Sequence, residues 1–212
     1  MRIDENRHIV LPVVTEEVTK KVKGKDVTER VVRIYAYHTP ISRATYEANY
    51  RVLAATKSAL ASKGSHYLMG SGPRVAALTL KDEGAKDAAD RGSFSEDGKV
   101  VDEDTPALLA EIKRLTTILC PGPNGWDMLP VDVAINQGKI DEEDWEECVS
   151  ALVFFTCHYS MAKKADREKT AQAMAHFLSA SITSSSGTEF LASLPILTSV
   201  EHTKRTHSSI PS

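Results

Sequence analysis

Up to His38 the chain reads as strand, because Ile9 to Val14 is apolar and β-branched and Val27 to Tyr37 is again rich in Val, Ile and Tyr. Lys23-Gly24-Lys25-Asp26 supplies a turn between them, so Glu17 to Val22 is expected to fold back on Val27 to Ile34 as an antiparallel hairpin. Pro12 has no N–H to give to a ladder, which places the first strand at an edge.

The period then changes from two to that of a helix. Thr39-Pro40-Ile41-Ser42 ends the strand, and Ser42 offers its hydroxyl as a cap to a helix with Tyr46, Tyr50, Leu53, Ala54, Leu60 and Ala61 along one stripe and Gly64 as a left-handed stop. A second helix is expected from Ser71-Gly72-Pro73 toward Ala89, weakened in its middle by Gly84. Gly92 to Asp104 has no apolar period and reads as a surface loop. In a third helix opened by Thr105-Pro106, Leu108, Ile112, Leu115 and Leu119 recur at helical spacing until Pro121. A Pro-Gly corner follows through Trp126 and Leu129-Pro130, then a short helix from Val131 to Asn136 that closes at Gly138.

The strongest helical pattern runs from Asp141 to Ala162, opened by acids and apolar on every side at Ala151-Leu152-Val153-Phe154-Phe155, so the other helices are expected to pack around it. A further helix from Ala165 carries Ala171, Met174, Leu178 and Ile182 before fraying into Thr183-Ser184-Ser185-Ser186-Gly187. The expected fold is therefore mainly α with a short N-terminal antiparallel β-hairpin, an α+β chain whose compact helical domain surrounds a central apolar helix. Residues 1–38 form the hairpin region, 39–187 the helical domain, and 188–212 a polar tail with one apolar island.

Composition changes this picture little. With 212 residues, 42% hydrophobic and 26% charged, the chain suits an ordinary globular core. A net charge of -3 gives no footprint for nucleic acid or an anionic membrane. The start lacks the apolar run of a signal peptide and no stretch reaches the length of a membrane span, so a cytoplasmic protein is expected. Three cysteines, Cys120, Cys148 and Cys157, fit reduced thiols better than a disulfide framework.

Candidate chemistry is thin. Gly70-Ser71-Gly72-Pro73-Arg74 lacks the spacing of a phosphate-binding loop and reads as a helix start. The acids from Asp141 to Glu147 suit a first helical turn better than a calcium loop. Cys148, Cys157 and His158 cannot share a metal from one helix, no nucleophile elbow is present, and Lys163, Lys164 and Arg167 read as a solvated helix end. No cofactor, no metal and no catalytic residue is assigned, and an enzyme is not expected.

A resemblance adds a more specific reading. It is carried by His38-Thr39-Pro40-Ile41-Ser42-Arg43 with Tyr46 and Tyr50, by Gly72-Pro73-Arg74-Val75-Ala76-Ala77-Leu78 with Leu80-Lys81-Asp82, and by Glu111-Ile112-Lys113-Arg114-Leu115. Gly125-Trp126 with Leu129-Pro130, Ala151-Leu152-Val153-Phe154-Phe155-Thr156, and Thr188-Glu189-Phe190 with Ser193-Leu194-Pro195 complete it. In this order the segments resemble the tail assembly chaperones of tailed bacteriophages. That resemblance implies a helper in the host cytoplasm that binds the hydrophobic tape-measure protein, brings tail-tube subunits to it and leaves before the virion is complete. It leaves room for a homo-oligomer, and implies neither a nucleic-acid nor a membrane partner.

The residues expected to bind protein are those of the island, Phe190, Leu191, Leu194, Ile196 and Leu197. Such a segment either docks on its own domain or waits for a partner, and the serines before it permit exchange between the two. The alternative is a structural virion protein, a tail or connector component whose hairpin edge pairs with a neighbour.

Overall fold

The structure, a computed structural model, describes residues 7–22, 25–123 and 125–194. The N-terminal hairpin forms as its β-branched runs require. β1, His8–Val22, pairs antiparallel with β2, Lys25–His38. It is not a short appendage, however, and the expectation of a helical domain with only a hairpin beside it is corrected. Among the described residues five antiparallel strands form one sheet in the order β4-β3-β2-β1-β5, where β3 is Thr116–Gly122, β4 is Gly125–Pro130 and β5 is Ser181–Thr183.

The helices lie mostly on one side of this sheet. Ser42 accepts from the Thr45 N–H and starts α1, Arg43–Ala48, but the chain turns at Asn49 and continues as α2, Tyr50–Ser62, so the expected long helix is two. Gly64, at φ 90°, stops it in the left-handed region that glycine tolerates. After α3, Ser65–Gly70, comes α4, Gly72–Asp90, with Pro73 in its first turn. Gly84 does not interrupt α4; it lets the Thr105 side chain, at the start of α5, Asp104–Arg114, lie directly on the α4 backbone.

Leu115 and Leu119 do not continue α5. The helix closes at Arg114 and the chain becomes β3, with Ile118 and Cys120 toward the main core and Leu119 toward the other face. α6 is Val131–Asn136, as its pattern predicts, and Gly138 follows at φ 65°.

α7, Glu142–Tyr159, opens with a capping box in which Asp141 and Asp144 each accept the other's backbone N–H. It meets α2, α4, α5, β1 and α8, Arg167–Phe177, and so occupies the centre of the helical layer. Phe154 packs on Phe177 with centroids 5.7 Å apart, and Gly72 lets α4 come close to the same ring. Ile182, expected in the helix after Ala165, instead belongs to β5 and pairs with Ile9. The last described element is α9, Gly187–Ser193.

Among the described residues no helix is long and apolar enough to cross a membrane.

Candidate functional site

Side chains alternate across a strand, so neighbouring residues of the sheet belong to opposite faces. Ile9, Leu11, Ile34, Ala36, Ile118 and Cys120 point into the main core beneath the helices. Their neighbours Val10, Tyr37 and Leu119 are also buried, but in a second, separate cluster on the outer face. Register explains the grouping: Val10 lies opposite Tyr37, Tyr35 opposite Leu119, and Leu119 opposite Met128. Trp126 extends the patch, with its ring centroid 5.8 Å from that of Tyr35.

The outer face is covered by α9. Phe190, Leu191 and Leu194 pack on the cluster, and the Phe190 ring lies 6.3 Å from Tyr35 and 6.4 Å from Tyr37. Aromatic edges and faces at such separations attract beyond simple area burial. Of the five island residues assigned to protein binding, these three are thus brought together on one surface. Ile196 and Leu197 lie outside the described residues.

Polar contacts fix the entry to α9. The Tyr37 hydroxyl donates to the Ser185 carbonyl at 2.8 Å. Ser186 caps the helix by accepting from the Glu189 N–H, while the Glu189 carboxylate accepts from the Ser186 N–H at 2.8 Å. The Ser186 N–H and the Ser186 hydroxyl both donate to the Glu189 carboxylate and hold it below its usual range. Burial, and secondarily the Glu189 charge, pushes the Tyr37 phenol up to about 12, so it stays a donor at any physiological pH. At Gly187 a Cβ would run into the Met128 methyl and come within 3.7 Å of the Tyr37 ring; the bare backbone lets the helix start that close to the sheet.

The receiving side chains, Tyr35, Tyr37, Leu119 and Met128, were not among those the sequence assigned to protein binding. One signal for them exists: in Ile34-Tyr35-Ala36-Tyr37 and Ile118-Leu119-Cys120 both parities are apolar, as expected of strands covered on both faces.

The remaining motifs take structural positions. Cys120, Cys148 and Cys157 are buried, and burial pushes their thiols up to about 11, 12 and 12, which suits inert core groups. Gly72 and Pro73 start α4 against Phe154. Among the described residues no group of three or more His, Cys, Asp or Glu side chains is gathered as a metal site requires. An open cleft of about 340 Å³ between β1, α4 and α7 is lined by Leu11, Val13, Met69, Arg74, Glu147 and Phe177 among others.

What the outer face can do is bind an apolar segment: it presents aromatic and thioether side chains in a row, already holding one short amphipathic helix. No protein-family model, curated protein or solved structure matches the chain.

Proposed function

We propose that this protein is a non-enzymatic assembly factor of the tail-assembly-chaperone kind, acting in the host cytoplasm, and that its client site is the outer face of the sheet which α9 occupies in the resting state. The observation that carries the reading is the second apolar cluster, closed on the outside by Phe190 and Leu191 of a seven-residue helix and by Leu194 that follows it. A helix that short has little stability of its own and depends on its docking surface. A client with apolar side chains at helical or strand spacing competes for that surface, and the serines at 184–186 let α9 leave while the rest stays folded. The hydrophobic tape-measure protein is such a client, and tail-tube subunits are the second partner the reading implies.

Co-expression tests it. The full chain, the chain ending at Ser186 and Phe190→Ala/Leu194→Ala are each used to capture the tape-measure protein encoded alongside. All three capture it under this reading, the two altered forms more strongly because their face is no longer occupied. Failure of every form to bind while both proteins are soluble would end the proposal.

A permanent virion subunit is the second reading, and one observation favours it. Beyond Val14 and Ile34 the β1–β2 hairpin continues as a two-stranded ribbon that joins no other strand among the described residues. Mass spectrometry of purified particles separates the readings: a stoichiometric amount means a virion component, and absence means a chaperone.

A further inference from the structure

The ribbon has a defined root. β1 and β2 slip register between Pro12 and Val14 and again between Val14 and Thr15, which leaves Val13 on one strand and Arg33 on the other as extra residues. Bulges of this kind bend strands and end their pairing with neighbours. β5 meets β1 only at His8–Val10 and β3 meets β2 only at Tyr35–His38, so from Thr15 to Val32 both outer edges lack a strand partner among the described residues. A lone two-stranded ribbon is marginal in water, and its open edges invite pairing.

The cross-strand pairs on one face of the ribbon are Thr19 with Thr28, Glu17 with Arg30, and Lys21 with Asp26. All six residues are exposed. The threonine hydroxyls are 3.3 Å apart, and Glu17 and Arg30 approach to 4.0 Å. Along β1 the order is Glu16-Glu17-Val18-Thr19-Lys20-Lys21, acid before the centre and base after it.

We infer that β1 of this ribbon pairs antiparallel, edge to edge, with β1 of a second copy of the chain about a two-fold axis at Thr19. Outward-pointing backbone groups recur at every second residue, so two copies of the same edge can meet only with residues of like parity opposite each other. A two-fold at Thr19 meets this condition and sets Glu17 opposite Lys21 of the second copy, and Lys21 opposite its Glu17. Across the four strands the charges then alternate, from Arg30 to Glu17 to the second copy's Lys21 and Asp26, and the same row repeats in reverse on the other side of the axis. The central row is threonine on all four strands.

Parallel pairing in register would instead put glutamate on glutamate and lysine on lysine, which is unfavourable. The lysines therefore do more than blunt the edge: their order relative to the glutamates selects this partner and this direction. Because the contact is isologous it closes on itself and stops at the dimer. It uses a different surface from α9 and is independent of the proposal for the outer face.

Sedimentation velocity over a concentration series is the test, on three forms of the full chain: wild type, Glu16→Lys/Glu17→Lys and Lys20→Glu/Lys21→Glu. Wild type forms a dimer that weakens with added salt. Each double variant alone loses the dimer, with a dissociation constant raised about 100-fold or more, a change of the size expected when several opposite charges become like ones. Mixed in equal amounts, the two variants dimerise with each other. Thr19→Cys, which leaves every charge in place, forms a disulfide-linked dimer under mild oxidation, since directly opposed residues bring their Cα atoms within disulfide range. A wild type that stays monomeric at its highest soluble concentration, an oligomer that grows past the dimer, a mixture that fails to associate, or a Thr19→Cys chain that stays unlinked each overturns the proposal.

Discussion

The Tyr37 hydroxyl donates to the Ser185 carbonyl across a separation of 148 positions, and this bond joins the N-terminal hairpin to the segment that leads into α9. It is half-buried and neutral, so its net value is about 1 kcal/mol. Tyr37→Phe keeps the ring against Phe190 and removes only the donor. The expected result is a loss of about 1 kcal/mol in urea unfolding, with faster amide exchange in α9 and unchanged exchange in α7. Slower or equal exchange in α9 would show that the bond does not hold the helix.

Phe154 is the side chain on which the helical layer converges: it is 2% exposed and sits against Phe177, His158 and the Gly72 backbone. Phe154→Ala is expected to cost about 3–5 kcal/mol. Phe154→Asp, which adds an unpaired buried carboxylate, is expected to leave no soluble folded protein. A Phe154→Asp chain with the melting temperature of wild type would place this ring on the surface.

At Gly84 two effects oppose each other. Alanine is the better helix former by about 1 kcal/mol. Yet its Cβ would overlap the Thr105 hydroxyl and the Asp102 carboxylate, and Thr105 is buried. Overpacking of that sort costs about 1–3 kcal/mol, so Gly84→Ala is expected to lower the melting temperature. A higher melting temperature would mean that α5 yields freely.

Several local elements were legible in the sequence and the five-stranded sheet was not, for related reasons. The hairpin, the Ser42 cap, α6 with its stop at Gly138 and the Asp141 opening of α7 depend on neighbours in the chain, and local pattern captures them. β3 was hidden because Leu115 and Leu119 fall at helical spacing from Leu108 and Ile112, while the strand itself, buried on both faces, shows no alternation of apolar and polar residues. β5 is three residues long and exists through its pairing with His8–Val10, a partner far away in sequence. For the candidate site, the apolar island was visible as composition, but the surface beneath it is assembled from β1, β2, β3 and β4, and no local signal unites those strands.

His38 supplies a pH dependence. Thr116 donates its hydroxyl to the Ile112 carbonyl at 2.7 Å, so it accepts from the His38 Nδ1–H at 2.9 Å, and Nε2 is left as a buried atom without a partner among the described residues. Burial, and secondarily the neighbouring His8, lowers the His38 pKa from 6.5 to about 3. The unfolded chain therefore binds this proton near pH 6.5 and the folded one only near pH 3. Stability is present in full above pH 6.5 and falls as pH drops through that window, by up to about 1.4 kcal/mol per pH unit. His8 and His158 are also held low by burial and add to the acid limb, so the comparison isolates His38. His38→Asn is expected to be less stable than wild type at pH 7, with the two stability curves converging toward pH 4. Parallel curves would show that His38 takes up its proton in the folded state.

On the proposed function α9 and a client compete for Tyr35, Tyr37, Leu119 and Met128. Hydrogen exchange read by mass spectrometry, on the full chain with and without a saturating tape-measure segment, addresses it directly. The expected result is that the segment raises exchange in α9, residues 187–193, to that of an unstructured peptide while lowering it in β3 and β4. A bound segment that leaves α9 as protected as before would contradict it.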